Sequence, residues 1–295
     1  MLSILIPIYN YDVRALVRDL HQQASATGVA FEIICMDDAS SIDSKSYYES
    51  LGELNNLRII ELDKNIGRSA IRNRLAAIAR FAYCLFMDCD VMPEDKQFIQ
   101  NYINVLKSGT VVCGGRSYAP TMNNDNPYYL HWYYGTHREV KSAAERKKRP
   151  YHSFMTNNFI VPKSIILAMP FDESIRNYGH EDTVFGLVLE EKRIPILHID
   201  NPLRHIGLDD RNAFIKKTEQ AVENLFRLSQ SRDFRQSVRL LNFYKKTRNL
   251  GLHPLLKIWF RWNRNRLVQN LKSENPNLRN LDLYKLGYMI TLQDS

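Results

Sequence analysis

The sequence predicts an α/β fold that is followed by a helical extension. In the first 92 residues, short apolar segments typical of buried strands alternate four times with segments of helical periodicity. Acids, amides and a glycine lie at the ends of the apolar segments, and beyond residue 210 only helical periodicity continues. Such alternation predicts parallel strands with right-handed crossovers, whose carboxyl ends meet at one edge of the sheet.

Each predicted element has its own sequence signal. The apolar segments predict strands at residues 3–8, 31–36, 57–61, 83–87, 110–113, 159–161 and 196–199. Apolar residues at helical spacing predict helices at residues 13–20, 44–54, 70–81, 96–107 and 183–192, the first of which Asp12 would cap. The extension is predicted to contain helices at residues 213–229, 234–247, 254–271 and 281–292.

Residues 117–153 interrupt this pattern. They are rich in aromatic residues and lack a clear period, which predicts a long irregular segment. Its aromatic rings could stack on sugars or only pack an insertion. The basic run from Arg146 to Arg149 is predicted to be a solvated face rather than a phosphate site.

The positive charge of the chain is concentrated in the extension. The net charge is +8, but residues 1–215 carry 24 Lys+Arg against 26 Asp+Glu, whereas residues 216–295 carry 16 against 6. The 44% of hydrophobic and 24% of charged residues are typical of a globular protein. We therefore predict a main domain at residues 1–210 and a basic helical extension at residues 211–295.

The sequence also predicts a cytoplasmic protein. The apolar start turns polar by Asn10 and lacks a basic n-region, which predicts a strand and not a signal peptide. No apolar run reaches the length needed to cross a bilayer. The four cysteines form no Cys-x-x-Cys pair and are predicted to be buried, reduced thiols.

The converging strand ends predict a nucleotide site. They would bring together Tyr9, the pair Asp37 and Asp38, the loop 65–67 and the pair Asp88 and Asp90. Acids and amides suit a base and a ribose, while the nearby arginines suit phosphates. The sequence lacks both Gly-x-Gly-x-x-Gly after the first strand and Gly-x-x-x-x-Gly-Lys-Ser/Thr, which disfavours a Rossmann dinucleotide site and a P-loop.

Asp88 and Asp90 follow directly after the fourth predicted strand. Two carboxylates at the rim of a crevice could hold Mg²⁺ or Mn²⁺ against a substrate diphosphate. The alternative is that they cap the next helix, since Asp is common where strands end. Asp-x-Asp alone is a weak signal, and the surrounding motifs decide how it is interpreted.

Four motifs, in this order, resemble those of family 2 glycosyltransferases with the GT-A fold. They are Ile-Pro-Ile-Tyr-Asn at residues 6–10, Asp-Asp-Ala-Ser at 37–40, Asn-Ile-Gly-Arg-Ser-Ala-Ile-Arg-Asn at 65–73 and Asp-Cys-Asp at 88–90. The resemblance implies a Rossmann-like nucleotide-binding mixed sheet flanked by helices, a nucleotide-sugar donor, Mn²⁺ or Mg²⁺, and transfer with inversion. The family often has glycine where this chain has Ala39.

The resemblance also assigns residues by position. The residues implied to bind the nucleotide-sugar are Pro7, Tyr9, Asp37, Asp38, Asn65, Gly67, Arg72, Asp88 and Asn158. The residues implied to hold the metal are Asp88, Asp90 and His205. Imidazole suits Mn²⁺ better than Mg²⁺, although a lone histidine is more often a packed or surface residue.

A fifth motif, Gly-His-Glu-Asp at residues 179–182, looks like the Gly-x-Glu-Asp of the same family. It implies that Asp182 is the base that takes the proton of the acceptor hydroxyl, and that Glu181 binds hydroxyls of the acceptor or donor. Because both acids open a predicted helix, the helix dipole is expected to keep Asp182 ionised and to lower its basicity. The alternative is that both are ordinary acids of a helix N-terminus.

The sequence therefore predicts a hexosyltransferase that moves a sugar from a nucleotide-sugar, preferably a UDP-sugar, to a hydroxyl of a growing cell-surface glycan, polysaccharide or lipid-linked acceptor. A nucleotidyltransferase is the alternative enzyme, but it would need a Gly-rich, basic first loop. The basic extension could contact an anionic membrane at its inner face, or pack on the catalytic domain or a partner subunit. A purely nucleic-acid- or membrane-binding protein would leave the polar strand ends unexplained, and no nucleic acid partner is expected.

Overall fold

The computed structural model describes residues 1–41, 45–175, 178–232, 234 and 238–294. The strands are β1 (Leu2–Ile8), β2 (Phe31–Asp37), β3 (Leu57–Glu61), β4 (Tyr83–Met87), β5 (Val91–Pro93), β6 (Val111–Cys113), β7 (Arg116–Ser117), β8 (Asn158–Pro162), β9 (Ile196–His198) and β10 (Leu203–His205). The helices are α1 (Arg14–Ala26), α2 (Lys45–Glu49), α3 (Arg68–Ile78), α4 (Phe98–Val105), α5 (Tyr129–Tyr134), α6 (Ala143–Lys147), α7 (Lys163–Ala168), α8 (Glu181–Glu191), α9 (Arg211–Ser231), α10 (Arg239–Asn249), α11 (His253–Lys272) and α12 (Leu278–Thr291).

Seven strands form the central sheet, in the order β3-β2-β1-β4-β8-β6-β9. The first four strands of this order are parallel, which confirms the predicted arrangement, whereas β8 runs antiparallel to β4 and β6. A second sheet has the order β5-β10-β7. The carboxyl ends of β2, β1 and β4 are therefore neighbours at one edge of the mixed central sheet.

Both faces of the central sheet are buried. On one face Ile4 and Ile6 belong to a core cluster with Leu16 of α1, and on the other face Leu5 belongs to a cluster with Leu75 of α3. Side chains alternate between the faces of a strand, so a strand covered on both sides must be apolar throughout. This burial explains why β1 and β4 are continuous apolar segments.

Most predicted elements are confirmed with shifted ends, but residues 117–153 are not irregular throughout. They contain α5, a π-helical turn (Gly135–Glu139), α6 and a 3₁₀ turn (Tyr151–Ser153). These helices and turns have three to six residues, too few to establish a period in the sequence. The predicted helix at residues 44–54 is only α2, and α10 begins at Arg239, while residues 44 and 235–237 lie outside the described residues.

Arg146 corrects the prediction that the basic run is a solvated face. Only 3% of its surface is exposed, and its guanidinium donates hydrogen bonds to the carbonyl groups of Cys113 (3.1 Å), Gly114 (3.1 Å) and Ile199 (2.8 Å). Carbonyl groups at strand ends need donors when they are buried, and Arg146 supplies them. Lys147 and the two residues after it are exposed as predicted.

The chain divides into two compact units. The first consists of Met1–Ala119, Glu139–Arg176 and Glu181–Gly207 and contains both sheets, and the second consists of Pro120–Arg138, Asn177–His180 and Leu208–Ser295. The core of the second unit joins α5, α9, α11 and α12 through apolar residues that include Leu130, Phe214, Phe260 and Tyr284. The domain boundary at residue 210 stays a prediction.

Among the described residues, no helix combines the length and the apolar character needed to span a lipid bilayer.

Candidate active site

Asp38 fixes the loop that opens α3. Its carboxylate accepts hydrogen bonds from the backbone N–H groups of Ile66 (2.6 Å) and Gly67 (3.0 Å), and its carbonyl group accepts one from the side chain of Asn65 (3.1 Å). Gly67 has a φ of +85°, which L side chains rarely adopt. The structure thus brings three predicted ligands of the nucleotide together, with carboxylate lone pairs that could accept a further hydrogen bond.

Asp37, by contrast, is held inside the protein. It is 2% exposed, and its two carboxylate oxygens accept hydrogen bonds from the backbone N–H of Ser40 (2.8 Å) and the hydroxyl of Tyr48 (2.5 Å). These bonds fix a turn in which Ala39 has a φ of +59°, a conformation that glycine adopts at lower cost. Burial and these bonds make Asp37 part of the framework of the loop, and its predicted contact with the nucleoside stays a prediction.

Tyr9 extends from the end of β1. The residue is 53% exposed, while Pro7 is a partly buried member of the strand. The following Asn10 has a φ of +51° and is tied to the turn after β2, because its backbone N–H donates to the hydroxyl of Ser40 (2.7 Å). An exposed aromatic ring on a fixed backbone could stack on a base.

Two arginines of α3 lie between Asp88, which follows β4, and Glu181, which begins α8. Arg72 is 3% exposed and donates to Oδ1 of Asp88 (2.7 Å), and its Nη1 lies 3.9 Å from Oε1 of Glu181. Arg68 donates to the same oxygen of Glu181 (2.9 Å). Burial alone would raise the pKa of Glu181, but the charges of Arg68 and Arg72 lower it below its ordinary value. Glu181 is therefore a carboxylate at neutral pH.

Asp182 differs from its neighbour in its acidity. Burial and the negative charge of Glu181 raise the pKa of Asp182 to about 6, against the hydrogen bond from the backbone N–H of Thr183 (2.6 Å) and the charge of Arg116. The expectation that Asp182 would be a weaker base than an ordinary aspartate is therefore wrong. Burial and the neighbouring charge raise its pKa by more than the helix N-terminus lowers it. A carboxylate with this pKa is suited to general-base catalysis near neutral pH.

The second sheet brings Asp90 and His205 together. His205 of β10 pairs with Val91, the residue after Asp90, and its Nε2 lies 3.3 Å from Oδ2 of Asp90. Burial alone would raise the pKa of Asp90, but the hydrogen bond with His205 and the charges of His205 and Arg116 lower it. The pair therefore combines an ionised carboxylate with an imidazole at the edge of the sheet.

Gly207 allows the chain to pass close to Asp90. The backbone N–H of Gly207 donates to the carbonyl group of Asp90 (3.2 Å). A Cβ atom at position 207 would lie 2.5 Å from Cβ and 2.8 Å from Oδ2 of Asp90. Any side chain at this position would displace Asp90, so the glycine is a sterically required part of the site.

Arg116 is a site residue that the sequence analysis did not single out. Its Nη1 donates to Oε2 of Glu139 (2.8 Å), which also accepts a hydrogen bond from the hydroxyl of Tyr118, and its Nη2 lies 3.8 Å from Oδ2 of Asp88. Its Nε is buried and has no hydrogen-bond partner among the described residues. The sequence did contain a signal for Arg116. It lies in Gly-Gly-Arg directly after a predicted strand, and the other site residues also follow strands.

Asn157 and Asn158 differ in how their side-chain amides are hydrogen-bonded. Asn158 is 1% exposed, donates to the carbonyl groups of Gly115 and Asn201 (both 2.8 Å) and accepts from the hydroxyl of Tyr102 (2.6 Å). These bonds use its amide within the framework, and its place facing the donor sugar stays a prediction. Asn157 is also 1% exposed, yet neither polar atom of its amide has a partner in the described part of the chain. Because a buried amide without a partner needs one, Asn157 is the better candidate to contact a ligand.

The motif resemblance agrees with a comparison against protein families. The family model described as glycosyl transferase family 2 matches residues 3–166, more than half of the chain. The chain belongs to glycosyltransferase family 2. Family membership favours sugar transfer over the nucleotidyltransferase alternative.

Individual relatives are more distant. A dolichyl-phosphate beta-glucosyltransferase of Dictyostelium discoideum is 27% identical over 131 residues, which are 40% of this chain and 40% of that protein. The match thus spans about two fifths of the length of this curated relative. Residues 1–349 of TarS from S. aureus cover 100% of this chain and 92% of their own at 16% identity, with a TM-score of 0.51. The mannosyltransferase PcManGT from Pyrobaculum calidifontis, in complex with GDP-Man and Mn²⁺, covers 100% and 88% at 10% identity, with a TM-score of 0.60. These similarities confirm the predicted GT-A fold.

The predicted metal ligands of this family 2 enzyme do not form one cluster. Within the described ranges, no three His, Cys, Asp or Glu side chains are arranged to hold a metal ion, because Asp88 faces Arg72 and Arg116. Asp90 and His205 remain, 3.3 Å apart, close to the distance of about 3 Å between adjacent ligands of an octahedral Mg²⁺ or Mn²⁺. The oxygen and nitrogen donors of this pair suit a divalent cation such as Mn²⁺, which would take its remaining ligands from phosphate oxygens and water.

Proposed function

We propose that the enzyme is an inverting, metal-dependent glycosyltransferase that moves a sugar from a nucleotide-sugar to a hydroxyl group. The observation that carries this proposal concerns Glu181 and Asp182, two adjacent carboxylates beside the strand ends. The pKa of Glu181 is lowered, whereas the pKa of Asp182 is raised. Burial, and after it the charge of the ionised Glu181 that the arginines hold, raise the pKa of Asp182 toward neutrality. Two acids with separated pKa values mark an assignment of distinct acid–base roles.

In this proposal Asp182 removes the proton of the acceptor hydroxyl as the oxygen attacks the anomeric carbon of the sugar. Attack from the side opposite the departing diphosphate inverts the configuration of that carbon. Glu181, fixed by Arg68 and Arg72, orients hydroxyl groups of the donor or acceptor. Correct placement of the attacking oxygen supplies part of the rate enhancement, since a positioned reaction avoids much of the entropic cost of the encounter.

The donor would lie along the strand ends. Tyr9, Asp38, Asn65 and Gly67 would surround the nucleoside, and Arg72 with Asp88 would define the position of the ribose or the first phosphate. Arg116, with its buried Nε and its proximity to Asp88, would bind the diphosphate or the sugar. A divalent cation bound by Asp90 and His205, Mn²⁺ or Mg²⁺, would neutralise charge on the departing diphosphate.

A UDP-sugar is the favoured donor, because TarS, with the same fold, has been solved with UDP and with UDP-GlcNAc. PcManGT was solved with GDP-Man, so GDP is the alternative to test. The proposed acceptor is a hydroxyl of a growing glycan or a lipid-linked sugar. A lipid-linked acceptor would agree with peripheral contact of the basic extension with an anionic membrane on its cytoplasmic side.

The two proposed functions of the acids can be separated by substitution. Asp182→Asn should abolish transfer and leave metal-dependent nucleotide binding nearly intact, because the amide keeps the shape of the side chain and cannot accept the proton. Asp90→Asn should instead weaken nucleotide binding in the presence of Mn²⁺. Product release and calorimetric titration measure the two effects on the same protein samples.

Asp125→Asn is the matched control, since Asp125 is an exposed aspartate outside the proposed site. It should change neither measurement. Substantial turnover by Asp182→Asn would refute the assignment of the base. Unchanged nucleotide affinity of Asp90→Asn in Mn²⁺ would refute the proposed metal site.

A further inference from the structure

We propose that α11 docks the protein on an anionic lipid bilayer through an outward stripe of four apolar side chains, and this proposal does not depend on the sugar that is transferred. The stripe consists of Leu255 (67% exposed), Ile258 (51%), Trp259 (39%) and Trp262 (83%). The residues are separated by three, four and seven positions from the first. With 3.6 residues per turn, this spacing places them on one side of the helix.

The opposite side of α11 is already used for packing. Phe260 (2% exposed), Leu267 (6%) and Leu271 (0%) belong to the core of the second unit. A Cβ atom at Gly287 of α12 would lie 2.2 Å from the ring of Phe260, which shows how closely the two helices approach. The helix thus has two apolar faces, and folding of the unit buries only one of them. The outward stripe therefore requires another explanation.

The positive charge around the stripe favours an anionic bilayer as the surface that the stripe contacts. Together α10 and α11 contain nine Lys and Arg residues and no Asp or Glu. Arg261 and Arg266 are exposed on α11, next to the stripe and in line with it. A second copy of the chain would bring two such basic surfaces together and would be repelled. An anionic bilayer offers apolar depth to the stripe and negative headgroups to the arginines.

The types of apolar residue also suit a bilayer surface. Tryptophan is enriched at membrane–water interfaces, where the ring lies at the level of the headgroups. Two of the three tryptophans in the chain are on the stripe. The exposed Leu250 (62%) and Leu252 (37%) precede α11 and extend the apolar surface at its N-terminal end. A helix with this composition would lie in the plane of the interface.

The test is binding of the full chain to vesicles of phosphatidylcholine, with and without phosphatidylglycerol. We expect cosedimentation with the mixed vesicles that weakens as salt is added. In a Trp132→Phe background the emission of the two stripe tryptophans should shift to shorter wavelength on binding. The double variant Leu255→Ser/Trp262→Ser should bind at least about tenfold more weakly, since two large apolar side chains no longer enter the interface.

A second pair of variants tests the charge. Arg261→Gln/Arg266→Gln should lose about tenfold in affinity for the mixed vesicles, and its binding should depend less steeply on salt, because two of the nine basic side chains are neutralised. Leu167→Ser and Lys192→Gln, at exposed positions of the first unit, are matched controls and should bind as the unchanged protein does. Nucleotide binding should be the same in all these variants, which separates failure of this proposal from failure of the proposed transferase activity.

Three results would overturn the proposal. One is the absence of binding to the mixed vesicles, and another is equal binding of the double apolar variant and its control. The third is a concentration-dependent dimer that the double apolar variant abolishes, because the stripe would then be an interface between copies of the chain.

Discussion

Replacing Glu181 with glutamine should move the acid limb of the pH–rate profile to lower pH. Asp182 acts as a base only when it is ionised, so activity should fall as the pH falls through its pKa of about 6. At one pH unit below this value, about a tenth of the molecules retain an ionised base. The unchanged enzyme should therefore lose about tenfold in rate for each pH unit below 6.

The size of the effect of Glu181→Gln follows from the causes of the shift. Burial and the charge of Glu181 together raise the pKa of Asp182 from 3.8 to about 6, with burial as the larger cause. Glutamine removes only the second cause, and it also leaves the positive charges of Arg68 and Arg72 without their carboxylate. Both changes favour ionised Asp182, and we expect the acid limb to move downward by about one pH unit.

The assay is release of nucleoside diphosphate at limiting donor, measured as kcat/KM across a series of pH values. The plateau rate of Glu181→Gln should be lower, since a weaker base and a lost hydroxyl ligand both slow the reaction, but the variant should keep more of its own plateau at low pH. Glu191→Gln, on the exposed end of the same helix, should leave the limb in place. An acid limb that stays in place or moves to higher pH in Glu181→Gln would refute the proposed coupling.

Two further predictions concern the framework of the site. Gly207→Ala should weaken metal-dependent nucleotide binding by about tenfold, because a Cβ atom 2.5 Å from Cβ of Asp90 must displace that residue; calorimetric titration measures this, and unchanged affinity would contradict it. Arg146→Met should lower the free energy of unfolding by about 3 kcal/mol, because three buried carbonyl groups lose their donor, whereas Lys147→Met should change it by less than about 0.5 kcal/mol. Denaturant unfolding measures both variants, and equal stabilities would show that the buried hydrogen bonds of Arg146 contribute little.

The sequence was most informative where periodicity and position act together. Four alternations of strand and helix were enough to predict the parallel part of the sheet and the edge where Asp38, Asp88 and Asp90 lie. The three strands of the second sheet have two or three residues each, too few for a pattern. The pairing of Val91 with His205, which brings Asp90 and the histidine together, therefore came only from the structure.

Sequence position could not tell which polar residue faces the site and which is buried as part of the framework. Asn157 and Asn158 are adjacent and identical in type, and only the structure shows that the amide of Asn158 has hydrogen-bond partners whereas that of Asn157 has none among the described residues. Arg146 belongs to a run of four basic residues, and only its burial distinguishes it from the other three. The raised pKa of Asp182 depends on burial as well as on the charge of Glu181, and a sequence motif does not show how deeply a side chain is buried.

The most direct test of the central claim is calorimetric titration of the full chain with UDP, GDP, dTDP and ADP, each in Mn²⁺ and in EDTA. We predict that UDP binds in the presence of Mn²⁺ and that its affinity falls at least about tenfold in EDTA, as expected if Asp90 and His205 hold a cation against the diphosphate. Metal-dependent binding of GDP in place of UDP would support the proposed transferase activity and show that the donor is a GDP-sugar. A folded protein that binds none of the four nucleotides would contradict the proposed function.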